Sequence, residues 1–248
     1  MTYLAESQFA QSVISRYLPD KPARILEVGG GIGWVSRALS RTGYDVSDLE
    51  PSGQGFGFMS AAREALSDGH SAQHLEIGVD ELSPVEHGTF DLVYSINVLE
   101  HVPDPISALS RMYQALAPHG QVVIMCPNYS FPFEPHFSVP LVPFSPSSTE
   151  HLLPQKITRS ELWGSLNWIT AKRVKRWAAE TGALVEFDNN VLRHLFDRIT
   201  KDPIFGERHT IISKLTRLLD RIKALEVLAA TPPTLVSPMQ FVISRPSK

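Results

Sequence analysis

The chain is expected to fold as a doubly wound α/β domain around a mostly parallel sheet. Three observations carry this: an apolar strand running into glycines at residues 25–33, a second strand-and-turn element at residues 90–105, and strand patterns alternating with helical ones between and after them. With 248 residues, 43% of them hydrophobic, one compact domain over residues 1–248 suffices to bury the core.

The elements follow in order. Phe9, Val13, Ile14, Tyr17 and Leu18 recur at helical spacing, predicting a helix over residues 4–18 that Pro19 ends. Strands are expected at 24–28, 45–49, 74–78, 90–96 and 121–126, with helices at 33–42, 56–67 and 105–117 between them. The last of these helices is well marked: Asp104 can cap it, Pro105 suits its first turn, and Pro118 with Gly120 stops it. Residues 127–160 break the rhythm with seven prolines, from Pro127 to Pro154, interleaved with Tyr129, Phe131, Phe133, Phe137 and Phe144. Such a stretch makes neither a regular helix nor a central strand, and its aromatics favour an ordered lid over a solvated linker. A helix at 171–181, a strand at 183–188, a long amphipathic helix at 208–229 and a last strand at 239–244 complete the chain. In the 208–229 helix Ile211, Leu215, Leu218, Ile222 and Leu225 form a stripe that must be covered, by the protein's own sheet or lid, by a second copy, or by a membrane surface.

Composition narrows the classes of function. A net charge of −3 argues against a nucleic-acid partner, although residues 171–248 carry 14 Lys or Arg against 8 Asp or Glu. That excess suits a solvated helical face, an anionic acceptor or a peripheral membrane contact. The single Cys126 excludes an intrachain disulfide framework, and the start of the chain lacks the basic and apolar regions of a signal peptide. No apolar run reaches membrane-spanning length, so a soluble, cytoplasmic protein, monomer or homodimer, is expected.

Chemistry enters at the first strand. Gly29, Gly31 and Gly33 follow Ile25-Leu26-Glu27-Val28, and glycines there let the backbone approach a ligand where a Cβ would clash. Glu50 closes the second strand 17 positions after Gly33, where a carboxylate can accept both hydroxyls of a ribose. Dinucleotide folds use G-x-G-x-x-G so that pyrophosphate rests on the helix N-terminus, whereas here the place of the third glycine is taken by Trp34.

The G-x-G-x-G run with Glu27 two places earlier resembles motif I of class I S-adenosylmethionine-dependent methyltransferases. Phe90-Asp91-Leu92-Val93, followed by Val98-Leu99-Glu100-His101-Val102, resembles the fourth strand of ubiquinone-type and related small-molecule methyltransferases. The resemblance covers residues 22–127. It implies a Rossmann-like sheet of seven strands with an antiparallel last strand, S-adenosylmethionine as cofactor and S-adenosylhomocysteine as product. It divides the domain into an N-terminal helix (1–20), a cofactor-binding core (21–127), a lid or acceptor insertion (128–170) and a part completing the sheet (171–248).

The resemblance also assigns roles. Gly29, Gly31 and Gly33 approach the methionyl part, Glu27 organises the loop and helps hold the amino group, and Glu50 binds the ribose. Related enzymes carry an acidic residue after strand three for the adenine amino group. Gly78 stands there in this chain, with the Val79 backbone or Asp80 as substitutes, and Asn97 lies beside the methionyl moiety.

Methyl transfer needs an in-line nucleophile and often a base. Histidine suits that part near neutral pH; His136 is the first candidate and His101 the second, with His151 a third. The ends of strands four and five offer Asn97 and Asn128 rather than a carboxylate cluster, so no metal is expected. The expected activity is methylation of a small-molecule acceptor at a hydroxyl oxygen, on a sugar, a phenol or quinone-like ring, or a lipid-linked group. The alternatives are an inert cofactor-binding regulatory module and a nicotinamide-dependent oxidoreductase.

Overall fold

The computed structural model describes residues 2–51, 72–201 and 230–246, together with residues 62, 63, 65, 216 and 218. Its main elements are α1 (Thr2–Ile14), β1 (Arg24–Val28), α2 (Trp34–Arg41), β2 (Asp45–Leu49), β3 (Gln73–Leu75), β4 (Phe90–Ile96), α3 (Pro105–Gln114), β5 (Leu116–Cys126), β6 (Phe133–Glu134), β7 (Val139–Pro140), α4 (Ala171–Thr181), β8 (Leu184–Phe187), α5 (Val191–Lys201) and β9 (Met239–Ser244).

Seven strands form one sheet in the order β3-β2-β1-β4-β5-β9-β8. β9 runs antiparallel to both β5 and β8, and the pairings among β1 to β5 are parallel. Helices cover both faces, so the central strands are apolar on both sides. On one face Leu26, Val28 and Val93 meet Leu109 and Met112 of α3 and Val174 and Trp177 of α4. On the other, Ile25, Val46, Leu92 and Tyr94 meet Val13 and Ile14 of α1 and Val35 and Leu39 of α2. The strand order reverses between β1 and β4, which puts the crevice for a ligand beyond the carboxyl ends of those strands.

Several boundaries differ from the sequence expectation. The helix expected over 105–117 ends at Gln114, because Leu116 already pairs with Phe90 at the start of β5. The register shifts between Phe90 and Leu92, and this irregularity takes up Pro118 and Gly120 within the strand. Asp104 caps α3 as expected, accepting from the backbone N–H groups of Ile106 (3.1 Å) and Ser107 (3.0 Å). The first helix stops at Ile14 and continues only as a 3-10 turn over Ser15–Tyr17. β3 ends at Leu75, since the chain turns at Val79–Glu81, where the Glu81 carboxylate accepts from Gly78 N–H at 3.0 Å. Helix α5 is an addition to the elements expected, and the helices expected over 56–67 and 208–229 fall almost wholly outside the described residues.

The proline-rich insertion is ordered. It contains the β6–β7 hairpin, a 3-10 segment over Pro146–Leu152 and two single-turn helices, Gln155–Thr158 and Glu161–Gly164. Tyr129, Trp168, Trp163 and Phe137 interlock edge to face with ring centroids 5.0–5.8 Å apart, the geometry the ring quadrupole favours. Phe131 and Phe144 do not join this packing; both are exposed. Among the described residues no helix is long and apolar enough to cross a membrane.

Candidate functional site

The glycine loop leaves β1 in backbone conformations that glycine supplies: Gly29, Gly31 and Gly33 have φ of 82°, 50° and 72°. A Cβ on Gly29 would collide with the side chain of Val98, just beyond β4, so the loop and the turn after β4 are in direct apposition. Gly29 and Gly30 both donate to the carbonyl of Leu49, at 2.8 and 3.2 Å, and Gly31 N–H donates to Glu50 Oε2 at 2.8 Å. Glu50 is thus anchored to the loop, and burial raises its pKa against the opposing effects of that hydrogen bond and of Arg63.

Glu27 is buried at the end of β1 and accepts from Ser36 N–H of α2 at 3.0 Å. Burial, reinforced by the charge of Asp48, pushes its carboxyl up to about 8. The buried hydroxyl of Tyr94 nearby makes no hydrogen bond of good geometry. A buried carboxyl held this far from its ordinary range gains most from a cationic group. Together with the glycine backbone that replaces side chains at the loop, this is the fit that the methionyl ammonium of S-adenosylmethionine requires.

The remaining cofactor candidates lie at the same edge of the sheet. Asn97 follows β4 with φ of 55°, a left-handed conformation Asn tolerates, and its N–H donates to Met125 at 2.8 Å. Val79 is buried and Asp80 exposed in the turn after β3. Asn128 belongs to the framework instead: its Oδ1 accepts from Ser130 and Ala171, and its Nδ2 donates to the carbonyls of Thr234 and Val236.

Sequence reasoning missed Asp48, whose buried carboxylate pairs with Arg63, lies 2.7 Å from His74 Nδ1 and accepts from Ser36 Oγ at 3.1 Å. Its signal was a charged residue at an inward position of a buried strand. A cleft of about 780 Å³ opens beside it, lined by Ser36, Arg37, Arg63 and His74 among others. That cleft lies on the α2 flank rather than beyond β4, so it does not mark the reacting centre.

The structure brings the two histidine candidates together. His101 sits in the 3-10 turn Leu99–His101 after β4, and His136 lies in the β6–β7 hairpin of the insertion; their rings meet edge to face at 5.1 Å. Glu100, fully buried, has its Oε1 3.9 Å from the Nε2 of each histidine, and among the described residues neither of its carboxylate oxygens has a side-chain hydrogen-bond partner. His136 Nδ1 is 2.5 Å from Oε1 of the fully buried Glu134, whose Oε2 accepts from Phe137 N–H at 2.7 Å. To the Asn97 and Asn128 expected at these strand ends the structure adds Glu100, which the fold of the insertion brings to two imidazoles. His151 stands apart, 78% exposed beside Glu150.

Electrostatics separate the two imidazoles. Burial, with the nearby His136, pushes His101 down to about 4. Burial acts the same way on His136, but the hydrogen bond and charge of Glu134, with Glu100, outweigh it and raise the ring's pKa. Burial, reinforced by the charge of Glu134, takes Glu100 up to about 7 against the pull of its own backbone N–H and of His136.

A family model described as a methyltransferase domain matches residues 3–186. An uncharacterized protein of Mycobacterium tuberculosis is 33% identical over 214 residues, covering 82% of this chain and 73% of its own length. The ubiquinone biosynthesis O-methyltransferase of Nitrosococcus oceani is 36% identical over 100 residues, 40% of this chain and 41% of that protein. The structure is similar to an S-adenosylmethionine-dependent methyltransferase from Mesorhizobium loti, with a TM-score of 0.60 at 17% identity, covering 94% of this chain and 96% of that one. It is also similar to phosphoethanolamine N-methyltransferase 2 of Haemonchus contortus, with a TM-score of 0.53 at 18% identity. That match covers 97% of this chain and spans only 53% of the Haemonchus chain. At these identities the two structures establish the fold.

Proposed function

The chain belongs to the methyltransferase-domain family, and from that premise we propose that it moves a methyl group from S-adenosylmethionine to a hydroxyl oxygen of a small-molecule acceptor. The observation that carries the acceptor half is the apposition, through Val98, of the glycine loop and the Glu100–His101–His136 cluster. The partial likeness to ubiquinone biosynthesis O-methyltransferases, confined to 100 residues, supports oxygen as the acceptor atom.

S-adenosylmethionine supplies an electrophilic methyl on a sulfonium. The chain's residues hold and orient it. Glu27 takes the ammonium, Gly29, Gly31 and Gly33 give the methionyl part room, Glu50 accepts from the ribose hydroxyls, the Val79 backbone or Asp80 meets the adenine amino group, and Asn97 borders the methionyl moiety. The acceptor hydroxyl is activated where His101 and His136 converge. Glu134 fixes the His136 ring through Nδ1, so that Nε2 faces the acceptor side and can receive the hydroxyl proton. The aromatic packing of Tyr129, Trp168, Trp163 and Phe137 holds that hairpin in place.

Calorimetric titration with S-adenosylhomocysteine tests the cofactor half: wild type binds, and Glu50→Ala loses at least about tenfold in affinity, the worth of a hydrogen bond to a charged group. Turnover of a panel of phenols, catechols and sugars, read as release of S-adenosylhomocysteine, tests the acceptor half. His136→Asn should abolish turnover while leaving S-adenosylhomocysteine binding intact. Folded wild type that does not bind S-adenosylhomocysteine would overturn the reading.

A further inference from the structure

We propose that Glu100, His101 and His136 form a binding site for a divalent transition-metal cation, with the acceptor's hydroxyl oxygen as a further ligand. Only the identity of that further ligand rests on the methyltransferase reading.

The hydrogen bonds decide which ring nitrogens carry protons. Ser165 has one hydroxyl hydrogen, and it is committed to the carbonyl of Leu162 at 2.8 Å. His101 Nδ1, 2.8 Å from Ser165 Oγ, must therefore donate to it, which leaves the lone pair of the neutral ring on Nε2. In the neutral ring, which a bound cation requires, His136 Nδ1 donates to the Glu134 carboxylate and likewise leaves Nε2 as the acceptor nitrogen. Each of these Nε2 atoms is 3.9 Å from Glu100 Oε1, and one donor atom from each of the three residues can be chosen within 4.8 Å of the others.

Three lone-pair donors thus converge with no hydrogen bond among them, and one belongs to a fully buried carboxylate that has no side-chain partner among the described residues. Such an unpaired carboxylate costs free energy unless a cation offsets it. The outer shell is that of ligating histidines, each with its second nitrogen held by an oxygen acceptor, Ser165 for one and Glu134 for the other. Two imidazoles and one carboxylate select a transition metal such as Zn²⁺, Mn²⁺, Fe²⁺ or Co²⁺ over Mg²⁺ or Ca²⁺, which prefer all-oxygen shells. A cation about 2.1 Å from each donor draws the three inward by side-chain rotation. The histidine side chains keep 24% and 25% of their surface accessible, so an open coordination position faces the entry side.

The cation takes over the activating part assigned above to the bare imidazole. Coordination lowers the acceptor hydroxyl's pKa, its O–H bond breaks and the proton passes to water. An oxygen lone pair then forms the new C–O bond as the methyl–sulfur bond breaks, the electron pair going to sulfur to give a thioether. No electron is gained or lost by the metal.

The test is titration of the metal-free 248-residue chain with Co²⁺ alone, followed by visible d–d absorption and by metal content after dialysis, with S-adenosylhomocysteine binding measured on every sample. The expected result is one Co²⁺ per chain, with affinity at least about 100-fold weaker in Glu100→Gln and His136→Asn, beyond the effect of losing an outer-shell partner. Ser165→Ala is the milder probe if a ligand variant does not fold, and about tenfold weaker binding is expected there. Wild type that binds S-adenosylhomocysteine but not Co²⁺, or variants that bind Co²⁺ as wild type does, would overturn the metal site and leave the methyltransferase reading standing. One Co²⁺ per chain without S-adenosylhomocysteine binding would support the cation site while the methyltransferase reading fell.

Discussion

Asn167, at the end of the insertion, donates its backbone N–H to the carbonyl of Glu100 at 2.9 Å. Its Nδ2 also donates to the carbonyls of Leu99 and Val102, each at 2.7 Å. One side chain of the insertion therefore closes the turn that carries Glu100 and His101. Asn167→Ala takes this donor from the Val102 carbonyl and leaves Leu99 O only the 3.3 Å bond from Val102 N–H, a cost of about 1–3 kcal/mol, or roughly 2–4 °C in Tm for each kcal/mol in a domain of this size. Thermal unfolding should show that loss, and acceptor turnover should fall while S-adenosylhomocysteine affinity stays unchanged. Turnover equal to wild type would show that the pin does not serve the cluster.

Gly29→Ala places a methyl group in collision with Val98 at a backbone φ of 82°. Left-handed strain of about 1–2 kcal/mol adds to overpacking of about 1–3 kcal/mol. Denaturant unfolding should register a lower midpoint, and S-adenosylhomocysteine binding should weaken. A variant with an unchanged midpoint would mean that the loop and the Val98 turn can part without cost.

Glu27 gives a pH dependence whose sign follows from its pKa of about 8. The unfolded carboxyl ionises near 4.5, so between there and 8 the folded state holds the extra proton, and stability falls as pH rises through that window. The slope of the wild-type minus Glu27→Gln difference should approach about 1.4 kcal/mol per pH unit there. A difference that is flat with pH would refute the assignment.

The same carboxyl links cofactor binding to proton release. At pH 7 it is largely protonated in the free protein, and an arriving ammonium favours its ionised form. Calorimetry with S-adenosylhomocysteine in two buffers of different ionisation enthalpy should therefore give different apparent heats. Equal heats would place the ammonium elsewhere.

Asp48→Ala removes one partner of a buried ion pair, with side-chain exposures of 14% for Arg63 and 2% for Asp48. It also strips Ser36 Oγ of its acceptor. A loss of about 3–5 kcal/mol is expected in chemical unfolding, because Arg63 loses its paired carboxylate and keeps only the Gly31 carbonyl and the more distant charge of Glu50. A loss under about 1 kcal/mol would show that the pair behaves as an exposed one.

The local sequence determined much of this protein. The bounds of β1, β2, β4, α4 and β9 could be read directly, because period, capping residues and glycine or proline punctuation are short-range properties of the chain. The glycine loop and Glu50 were legible for the same reason, lying in one strand-turn-helix-strand unit. Where long-range pairing competed with local signals the reading slipped, as when Leu116 joined Phe90 in the sheet instead of extending α3. The Glu100–His101–His136 cluster was decided only by tertiary structure. His136 reaches His101 and Glu100 because the hairpin of the insertion folds back over the turn after β4, and Asn167 and the interlocked aromatics hold it there. Sequence spacing carries no information about such a closure, since it depends on packing between segments far apart in the chain, and a buried carboxylate announces itself only once water has been excluded around it.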